Sequence, residues 1–351
     1  FGALTVPSSL ALVLPQFPQT KQASVIGIWA AAGMVASGLS PGFAALVLEF
    51  SSWRWVYLVL VPIVAFGLLG AKLYLKETAE TKSDSPLDLL GVLMGSASVF
   101  LVVLGTLQGR SWGWLSPYTI ACFAGTALLL PLFLLRSSKH PEPLFDPGLF
   151  RIRSFTVSNI AVTFAMVGAF TSWFLWPLYL TEVWGYSKVQ VGLAFTPSPV
   201  LSAVVAVLGG RWADRRGFRG IMTLAALIAT VGFLWLYFFL NEEVRFWFAF
   251  FPSSIMFGFG MGVLASQLNS AALRDIPPES TATANGIHQS LRYAVGGMGA
   301  ATAITILNGT HEVQRYSLMW LLLGVLMVLV APLMWFLYPK QQNGEENHSR
   351  E

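Results

Sequence analysis

Long apolar runs separated by short polar breaks occupy most of this chain. Each of ten runs is long enough to cross a membrane, since a hydrocarbon core of about 30 Å needs roughly 20 residues of α-helix. They cover about 25–48, 54–73, 88–108, 117–135, 154–180, 189–209, 219–240, 246–271, 281–307 and 316–338. A further run, from Phe1 to about Leu14, begins apolar without a polar flank, as expected of a span that lacks its start. The pattern predicts an all-α polytopic membrane protein with about 11 transmembrane helices.

Composition supports lipid as the solvent of this protein. The 351 residues are 55% hydrophobic and 11% charged, whereas soluble domains carry about 25% charged residues. The net charge of +4 does not indicate a nucleic-acid partner, because the basic residues lie in loops between apolar spans. The single cysteine, Cys122, lies within an apolar run, which favours a packing role. The predicted surroundings are therefore the lipid bilayer, with no nucleic acid.

The positions of Lys and Arg predict the orientation, because basic residues in short loops stay on the cytoplasmic side. With a cytoplasmic C-terminus, strict alternation places most of the 21 basic residues inside. Those predicted to lie outside are Arg54, Arg110, Lys188, Arg245 and Arg315, and Arg292 falls within a helix. We expect a multi-pass protein of the plasma (cytoplasmic) membrane.

Two polar loops predict the domain organisation. Residues 76–86 (KETAETKSDSP) and 136–153 (RSSKHPEPLFDPGLFRIR) bracket two of the predicted helices. Three predicted helices precede this pair and six follow it. The predicted segments are a three-helix part at 1–75, a loop and central pair at 76–136, a linker at 137–153, a six-helix half at 154–338 and a tail at 339–351.

A glycine- and arginine-rich loop separates two of the later spans. It reads GRWADRRGFR from Gly210 to Arg219. Glycines at 210 and 217 permit a tight turn, while Asp214 can cap a helix or pair with arginines such as Arg215. Such a charge cluster can latch one side of a transporter shut in one conformation. A basic loop that only fixes topology is the other interpretation.

A stretch of small residues marks an earlier span. Ala36, Ser40, Ala44 and Ala45 surround Pro41, and the segment Ser52-Trp53-Arg54-Trp55 follows. Small residues four apart let two helices approach closely, and a proline removes a backbone hydrogen bond so that the helix can bend. Ordinary close helix packing would produce the same pattern.

Together these features resemble the fourteen-helix drug:proton antiporter branch of the major facilitator superfamily, the EmrB/QacA type. Residues 210–219 match its loop motif G-x-x-x-D-R-x-G-x-R. Residues 36–45 match its antiporter motif G-x-x-x-G-P-x-x-G-G, with every motif glycine replaced by Ala or Ser. The central pair corresponds to the two extra helices of that branch, which implies that the first three of 14 helices are absent here.

The resemblance implies a secondary active transporter that exports small organic, drug-like molecules by alternating access. It implies a proton gradient as the energy source and no bound cofactor. In that branch the coupling acid usually lies in the first helix, and none of the 17 acids here lies clearly in the middle of a span. A facilitator importing a nutrient or siderophore, or a non-transporting scaffold derived from a transporter, are the alternatives.

The most polar span carries Asn285, His288, Gln289 and Arg292 ahead of a Gly296-Gly297-Met298-Gly299 run. Charge inside an apolar span is costly and therefore indicates a functional site. His288 and Arg292 are four apart and share one face. Arg292 can orient an anionic substrate group, pair with a carboxylate or hold helix carbonyls. His288 can relay protons or form a structural hydrogen bond.

Four further residues are candidates for lining a substrate cavity: Trp173, Trp176, Gln267 and Asn269. Aromatic and polar lining suits amphipathic organic molecules. Enzyme classes are disfavoured, because the four histidines form no metal-binding spacing and no phosphate-binding G-x-x-x-x-G-K-[ST] loop is present. We therefore predict neither an enzyme nor a metal site.

Overall fold

The computed structural model describes residues 46–74, 88–140, 145–277, 280–307 and 312–340, and additionally 13, 32–33, 35–36, 40 and 42–44. The side chains of Asp214 and Ala282 are outside this description. Every regular element within these ranges is helical. Eight of the described helical stretches are long and apolar enough to cross a membrane. The predicted all-α membrane architecture is therefore confirmed.

The helices follow the predicted apolar runs closely. We label them α1 (Trp53–Leu58), α2 (Leu60–Tyr74), α3 (Leu89–Trp112), α4 (Pro117–Ser137), α5 (Arg153–Glu182), α6 (Lys188–Phe195), α7 (Pro197–Arg216), α8 (Phe218–Phe239), α9 (Phe251–Leu273), α10 (Thr281–Leu307) and α11 (Val313–Pro332). A π-helical turn, Phe246–Phe250, leads into α9, and another, Leu333–Leu337, continues α11.

Some predicted spans are not represented by the described residues. The run 1–14 and most of the run 25–48 lie outside them. The pairs α1/α2 and α6/α7 each form one candidate span, whereas α10 is a helix of 27 residues that is not among the eight candidates. The total of about 11 helices of a probable 14 stays a prediction, as do the domain boundaries.

Helix starts are set by side chains that accept the first free backbone N–H groups. Asp88 Oδ1 accepts from Gly91 N at 2.9 Å before α3, and Ser116 accepts from Thr119 N before α4. Ser187 and Gln190 form a reciprocal capping box before α6. The turn between α7 and α8 is made by Gly217 with φ of +78°, a conformation that favours glycine.

Helices α5 to α11 form one bundle around a continuous apolar core. Helix α5 is central and contacts α9, α10 and α11, while α8 packs between α9 and α11. Large buried side chains such as Trp176, Phe233 and Trp320 fill the space between them. These helices fall within residues 154–338, the predicted six-helix half, apart from the first residue of α5.

A glycine run lets α9 approach two neighbours at once. A Cβ atom at Gly258 would lie 2.5 Å from the carbonyl oxygen of Ser198 on α7, and one at Gly262 would lie 2.6 Å from that of Ser202. On the other side, a Cβ atom at Gly260 would lie 2.7 Å from the carbonyl oxygen of Ala225 on α8. Small residues at such contacts allow the close backbone packing that holds membrane helices together.

The central pair, α3 and α4, is fastened at one end by an ion pair. Arg136 Nη2 lies 2.8 Å from Asp88 Oδ1, and Arg136 Nε donates to the same oxygen at 2.9 Å. At the opposite end of α3, the Thr305 hydroxyl on α10 donates to the Thr106 carbonyl at 3.1 Å. The pair therefore contacts the bundle through α3.

We expect Asp88→Asn to weaken the central pair in a pH-dependent manner. The hydrogen bond from Arg136, then that from Gly91 N, holds the Asp88 pKa below its usual range. A lowered folded-state pKa stabilises the fold above the unfolded pKa of about 3.9, and this stabilisation is lost as pH falls through the folded value. Thermal unfolding in detergent should therefore show a lower midpoint for Asp88→Asn at pH 7 and a smaller difference at pH 3.

The matched control is Asp275→Asn, because the Asp275 side chain is 43% exposed and lies 3.6 Å from Arg274. We expect it to leave the pH 7 midpoint close to that of the parent chain, since exposed ion pairs contribute little. An Asp88→Asn difference that is the same at both pH values would contradict the assignment.

Candidate functional site

A buried polar contact joins α5 and α10. His288 Nδ1 lies 3.1 Å from Asn159 Oδ1, and both residues are only 1% exposed. Asn159 Nδ2 in turn donates to the Phe155 carbonyl at 2.8 Å. Buried polar groups in a membrane bundle need such partners, because lipid and core supply none. The structure therefore gives His288 a defined hydrogen-bonding role within the helix interface.

Glycines on α10 bring it against α5 beyond this contact. A Cβ atom at Gly296 would lie 2.5 Å from the Phe170 ring, and one at Gly299 would lie 2.8 Å from Thr171 Oγ1 and 3.2 Å from Val167 Cα. The two helices run in the same direction, since successive residues on α10 meet successive residues on α5. Gly296 and Gly299 of the glycine-rich run therefore pack against α5 and fix the position of α10 along it.

Arg292 follows His288 by one helical turn. It is half-buried, and no described residue accepts a hydrogen bond from its Nε. Its guanidinium carbon lies 6.0 Å from the ring centre of Tyr293. Among the described carboxylates, none forms an ion pair with it. This arginine therefore presents a charge that the described part of the bundle does not neutralise.

Two amides share the face of Arg292. Asn285 and Gln289 precede it by seven and three residues, which places all three on one side of a helix. Both amides are half-buried, and neither Asn285 Oδ1 nor Gln289 Oε1 has a hydrogen-bond partner among the described residues. Helix α10 therefore has a polar face of unpaired donors and acceptors beside the face that packs on α5.

Gln267 and Asn269 lie on α9. The Gln267 amide is buried and donates to Ser266 Oγ at 3.1 Å and towards the Ala206 carbonyl of α7 at 3.5 Å. Asn269 is half-buried, and its Oδ1 has no partner within the described residues. The described hydrogen bonds of Gln267 therefore run along α9 and to α7, not to the polar face of α10.

The two tryptophans of α5 have different surroundings. Trp176 is 1% exposed and makes edge-to-face contacts with Phe195, Phe250 and Phe257, at centroid distances of 5.5, 5.2 and 4.9 Å. Trp173 is 45% exposed and packs at 5.4 Å on Phe170. The structure thus places Trp176 in a packed aromatic cluster and leaves Trp173 available to a ligand or to lipid.

The loop motif forms the junction of α7 and α8. Gly210 faces Gln267, since a Cβ atom there would lie 3.5 Å from Gln267 Nε2, and Gly217 forms the turn. Arg215 is exposed, while the Arg219 guanidinium carbon lies 5.6 Å from the ring centre of Trp335. The Asp214 side chain lies outside the described residues, so its predicted capping or pairing role stays a prediction.

The antiporter-type stretch is described only in part. Ala36, Ser40 and Ala44 are helical, whereas Pro41 and Ala45 fall outside the described residues. Gly42, between them, approaches the junction of α6 and α7, because a Cβ atom built there would lie 3.8 Å from Thr196 Oγ1. This is an ordinary van der Waals distance, so the close helix approach that the small-residue pattern predicts stays a prediction.

Asn159 was not among the predicted site residues. The signal available in the sequence was the group Ser154, Ser158 and Asn159 at the start of an otherwise apolar run, all of which are buried. Polar residues spaced four apart in a span indicate a buried face, although they do not name the partner. A pairing of Asn159 with His288 across 129 residues could not be read from spacing alone.

A family model for the Major Facilitator Superfamily matches residues 1–89 and 89–301. The chain is 26% identical over 322 residues to Multidrug resistance protein 3 of Bacillus subtilis (strain 168), covering 90% of this chain and 60% of the relative. It is 26% identical over 309 residues to the Tetracenomycin C resistance and export protein of Streptomyces glaucescens, covering 86% and 56%.

A third relative is Multidrug export protein EmrB of Escherichia coli (strain K12), 24% identical over 319 residues, covering 89% of this chain and 61% of the relative. The chain thus spans between 56% and 61% of the length of these three proteins. A solved D-xylose–proton symporter aligns over 96% of this chain and 93% of that one with 14% identity. The TM-score of this alignment is 0.46.

Proposed function

This chain belongs to the Major Facilitator Superfamily, and from that premise we propose that it exports small organic molecules across the membrane in exchange for protons. The family consists of transporters rather than enzymes, so the chain is a multi-pass membrane transporter of small molecules. Names of relatives, among them a multidrug export protein and an antibiotic resistance and export protein, support export and a drug-like substrate.

Arg292 is the single observation that carries this proposal. A cation inside a membrane bundle is costly unless it is paired or faces a water-filled cavity. Its Nε has no described partner, and the adjacent Asn285 and Gln289 oxygens are also unpaired. We propose that this face lines the substrate path, where Arg292 contacts an acceptor group of the substrate or a carboxylate outside the described residues.

His288 has a positioning role in this proposal. Its hydrogen bond to Asn159 and the contacts of Gly296 and Gly299 fix α10 on α5, so the polar face of α10 is held in one rotation. Preorganised side chains bind a ligand with less loss of conformational entropy. The exposed Trp173 of α5 and the half-buried Asn269 of α9 extend the proposed lining. Trp176 and Gln267 act behind it by packing.

We propose the fourteen-helix arrangement for the complete protein, with 11 helices in this chain and a cytoplasmic C-terminus. In that arrangement the two halves rock about a cavity between them. The junction at Gly217, with Arg215 and Arg219 beside it, would lie on the cytoplasmic side, where its charges could differ in pairing between conformations. The proton gradient is the proposed energy source, and no cofactor is required.

Efflux of an amphipathic fluorescent dye from cells expressing the chain tests the proposal. We expect uncoupler-sensitive efflux, reduced about tenfold by Arg292→Gln, which corresponds to ~1.4 kcal/mol of lost stabilisation. Arg292→Lys should retain an intermediate rate if charge matters, because lysine keeps the charge but loses the planar fork of donors.

Arg110→Gln is the matched control, because Arg110 is exposed and lies on α3, not on the polar face of α10. Equal efflux by the parent chain and Arg292→Gln, at equal membrane abundance, would refute the role of Arg292. Flux that is inward and unaffected by an uncoupler would instead indicate the importing facilitator. No flux of any dye from well-folded protein would favour the scaffold.

A further inference from the structure

A groove on the outside of the bundle lies between α8 and α11. It has a volume of about 440 Å³ and is lined by Thr223, Ala331, Pro332, Trp335 and Phe336. It lies where α11 passes into the π-helical turn Leu333–Leu337, which widens the helix next to Pro332. The groove is not part of the proposed substrate site, because its lining belongs to α8 and the end of α11.

The lining of this groove is apolar and directed towards lipid. Both α8 and the stretch Val313–Leu337 are candidate membrane spans. Trp335 is 49% and Phe336 is 69% exposed, whereas Ala331 at the floor is 5% exposed. A groove that opens between two spans faces hydrocarbon chains rather than water. An acyl chain is therefore the occupant that fits the shape and polarity of its walls.

A basic side chain, that of Arg219, lies at one end of the groove. Arg219 lies one helical turn before Thr223 on α8, which places both on the same face. Its guanidinium carbon lies 5.6 Å from the ring centre of Trp335, a groove-lining residue. No described residue accepts a hydrogen bond from Arg219 Nε, which is itself buried. The Arg219 charge therefore lies beside Trp335, at the end of the groove where a lipid headgroup would lie.

Other described basic residues lie at the ends of the helices next to Arg219. Arg215 and Arg216 end α7, and Lys340 follows α11, and all three are exposed. Among the described acids, none forms an ion pair with any of these residues. Basic residues predict this end of the bundle to be cytoplasmic, where membranes carry anionic lipid. Each basic residue near such a surface contributes about 1 kcal/mol of attraction.

We infer that this groove binds one anionic phospholipid, with an acyl chain against Trp335 and Phe336 and the headgroup phosphate on the Arg219 guanidinium. Guanidinium groups bind phosphate through two parallel hydrogen bonds, and Trp335 holds the arginine in place through its ring face. The inference does not depend on the proposed transport activity, since it concerns the outer surface of α8 and α11.

Native mass spectrometry of the full chain in detergent tests the inference. The chain is titrated with phosphatidylglycerol, phosphatidylcholine or inorganic phosphate. We expect one phosphatidylglycerol to be retained, with about fivefold weaker retention in Arg219→Gln, as the loss of one basic contact implies. Arg215→Gln, an exposed arginine of the same loop, is the charge-matched control and should retain more lipid than Arg219→Gln.

Two variants test the acyl-chain half of the site without altering charge. Thr223→Phe fills the groove and should reduce phosphatidylglycerol retention. Phe336→Ala removes an exposed side chain from the groove wall, and it should also reduce retention without affecting folding. Quenching of Trp335 by brominated phosphatidylglycerol, taken as the difference between the chain and Trp335→Phe, locates the lipid. Any of four results would overturn the inference. Two concern lipid retention: an equal loss of phosphatidylglycerol in Arg219→Gln and Arg215→Gln, or equal binding of phosphatidylcholine. The others are displacement of the lipid by inorganic phosphate and the absence of Trp335 quenching.

Discussion

We expect Gly262→Val to leave only a small fraction of the protein molecules correctly folded. A Cβ atom at this position would lie 2.6 Å from the carbonyl oxygen and 2.7 Å from the Cα atom of Ser202, so α7 and α9 must separate. Separation also breaks the hydrogen bond of 2.7 Å from Ser202 Oγ to the Gly258 carbonyl. Overpacking typically costs about 1–3 kcal/mol, and we expect the upper end of that range here because backbone cannot move aside as a side chain can.

The measurement is the yield of monodisperse protein on size-exclusion chromatography, together with the midpoint of its thermal loss. Gly220→Val is the matched control, since nothing lies within 4 Å of a Cβ atom at Gly220, which is also helical. We expect its yield to remain near that of the parent chain. Comparable losses in both variants would show that glycine content rather than the α7–α9 contact determines folding.

Trp176→Ala should destabilise the bundle by about 3–5 kcal/mol, the range for removing a large aromatic side chain from a core. Its ring contacts Phe195, Phe250 and Phe257 from α6, the turn before α9, and α9. Truncation leaves a cavity among rings that belong to different helices. Trp176→Phe should recover much of the loss, because it keeps an aromatic ring among the same neighbours.

Trp173→Ala distinguishes packing from ligand contact on the same helix. Trp173 is 45% exposed, so we expect its loss to change the unfolding midpoint by less than Trp176→Ala does. If Trp173 lines the substrate path, its substitution should change dye efflux at unchanged abundance. A larger loss of stability for Trp173→Ala than for Trp176→Ala would contradict the assignment of the two side chains.

The helices could be predicted closely because the bilayer fixes their length. The run predicted at 117–135 is the helix Pro117–Ser137, and that at 219–240 is Phe218–Phe239. Ends differ by a few residues, as at α5, which extends to Glu182 beyond the predicted Leu180. Turn chemistry at Gly217 was also readable, since glycine is favoured at positive φ.

The faces of the helices could not be predicted in the same way. In water a helix buries its apolar side, but in a membrane both lipid and core are apolar, so hydropathy does not distinguish them. Trp173 and Trp176 are equally hydrophobic and three residues apart, yet only Trp176 is buried. Polar residues indicate the buried face of a membrane helix better, because a buried side chain such as His288 needs a hydrogen-bond partner. The identity of that partner depended on the fold.

The long separation between Asn159 and His288 has a consequence for biogenesis. Asn159 enters the membrane with α5, whereas its partner is 129 residues further along, and Arg153 at the start of α5 donates to the carbonyl of Leu337. At the usual rate of synthesis, the wait for His288 is on the order of ten seconds. During that interval the polar side chains of α5 that are buried in the folded bundle are not yet covered by α10 and α11. We expect newly inserted α5 to stay beside the insertion machinery until the last helices arrive.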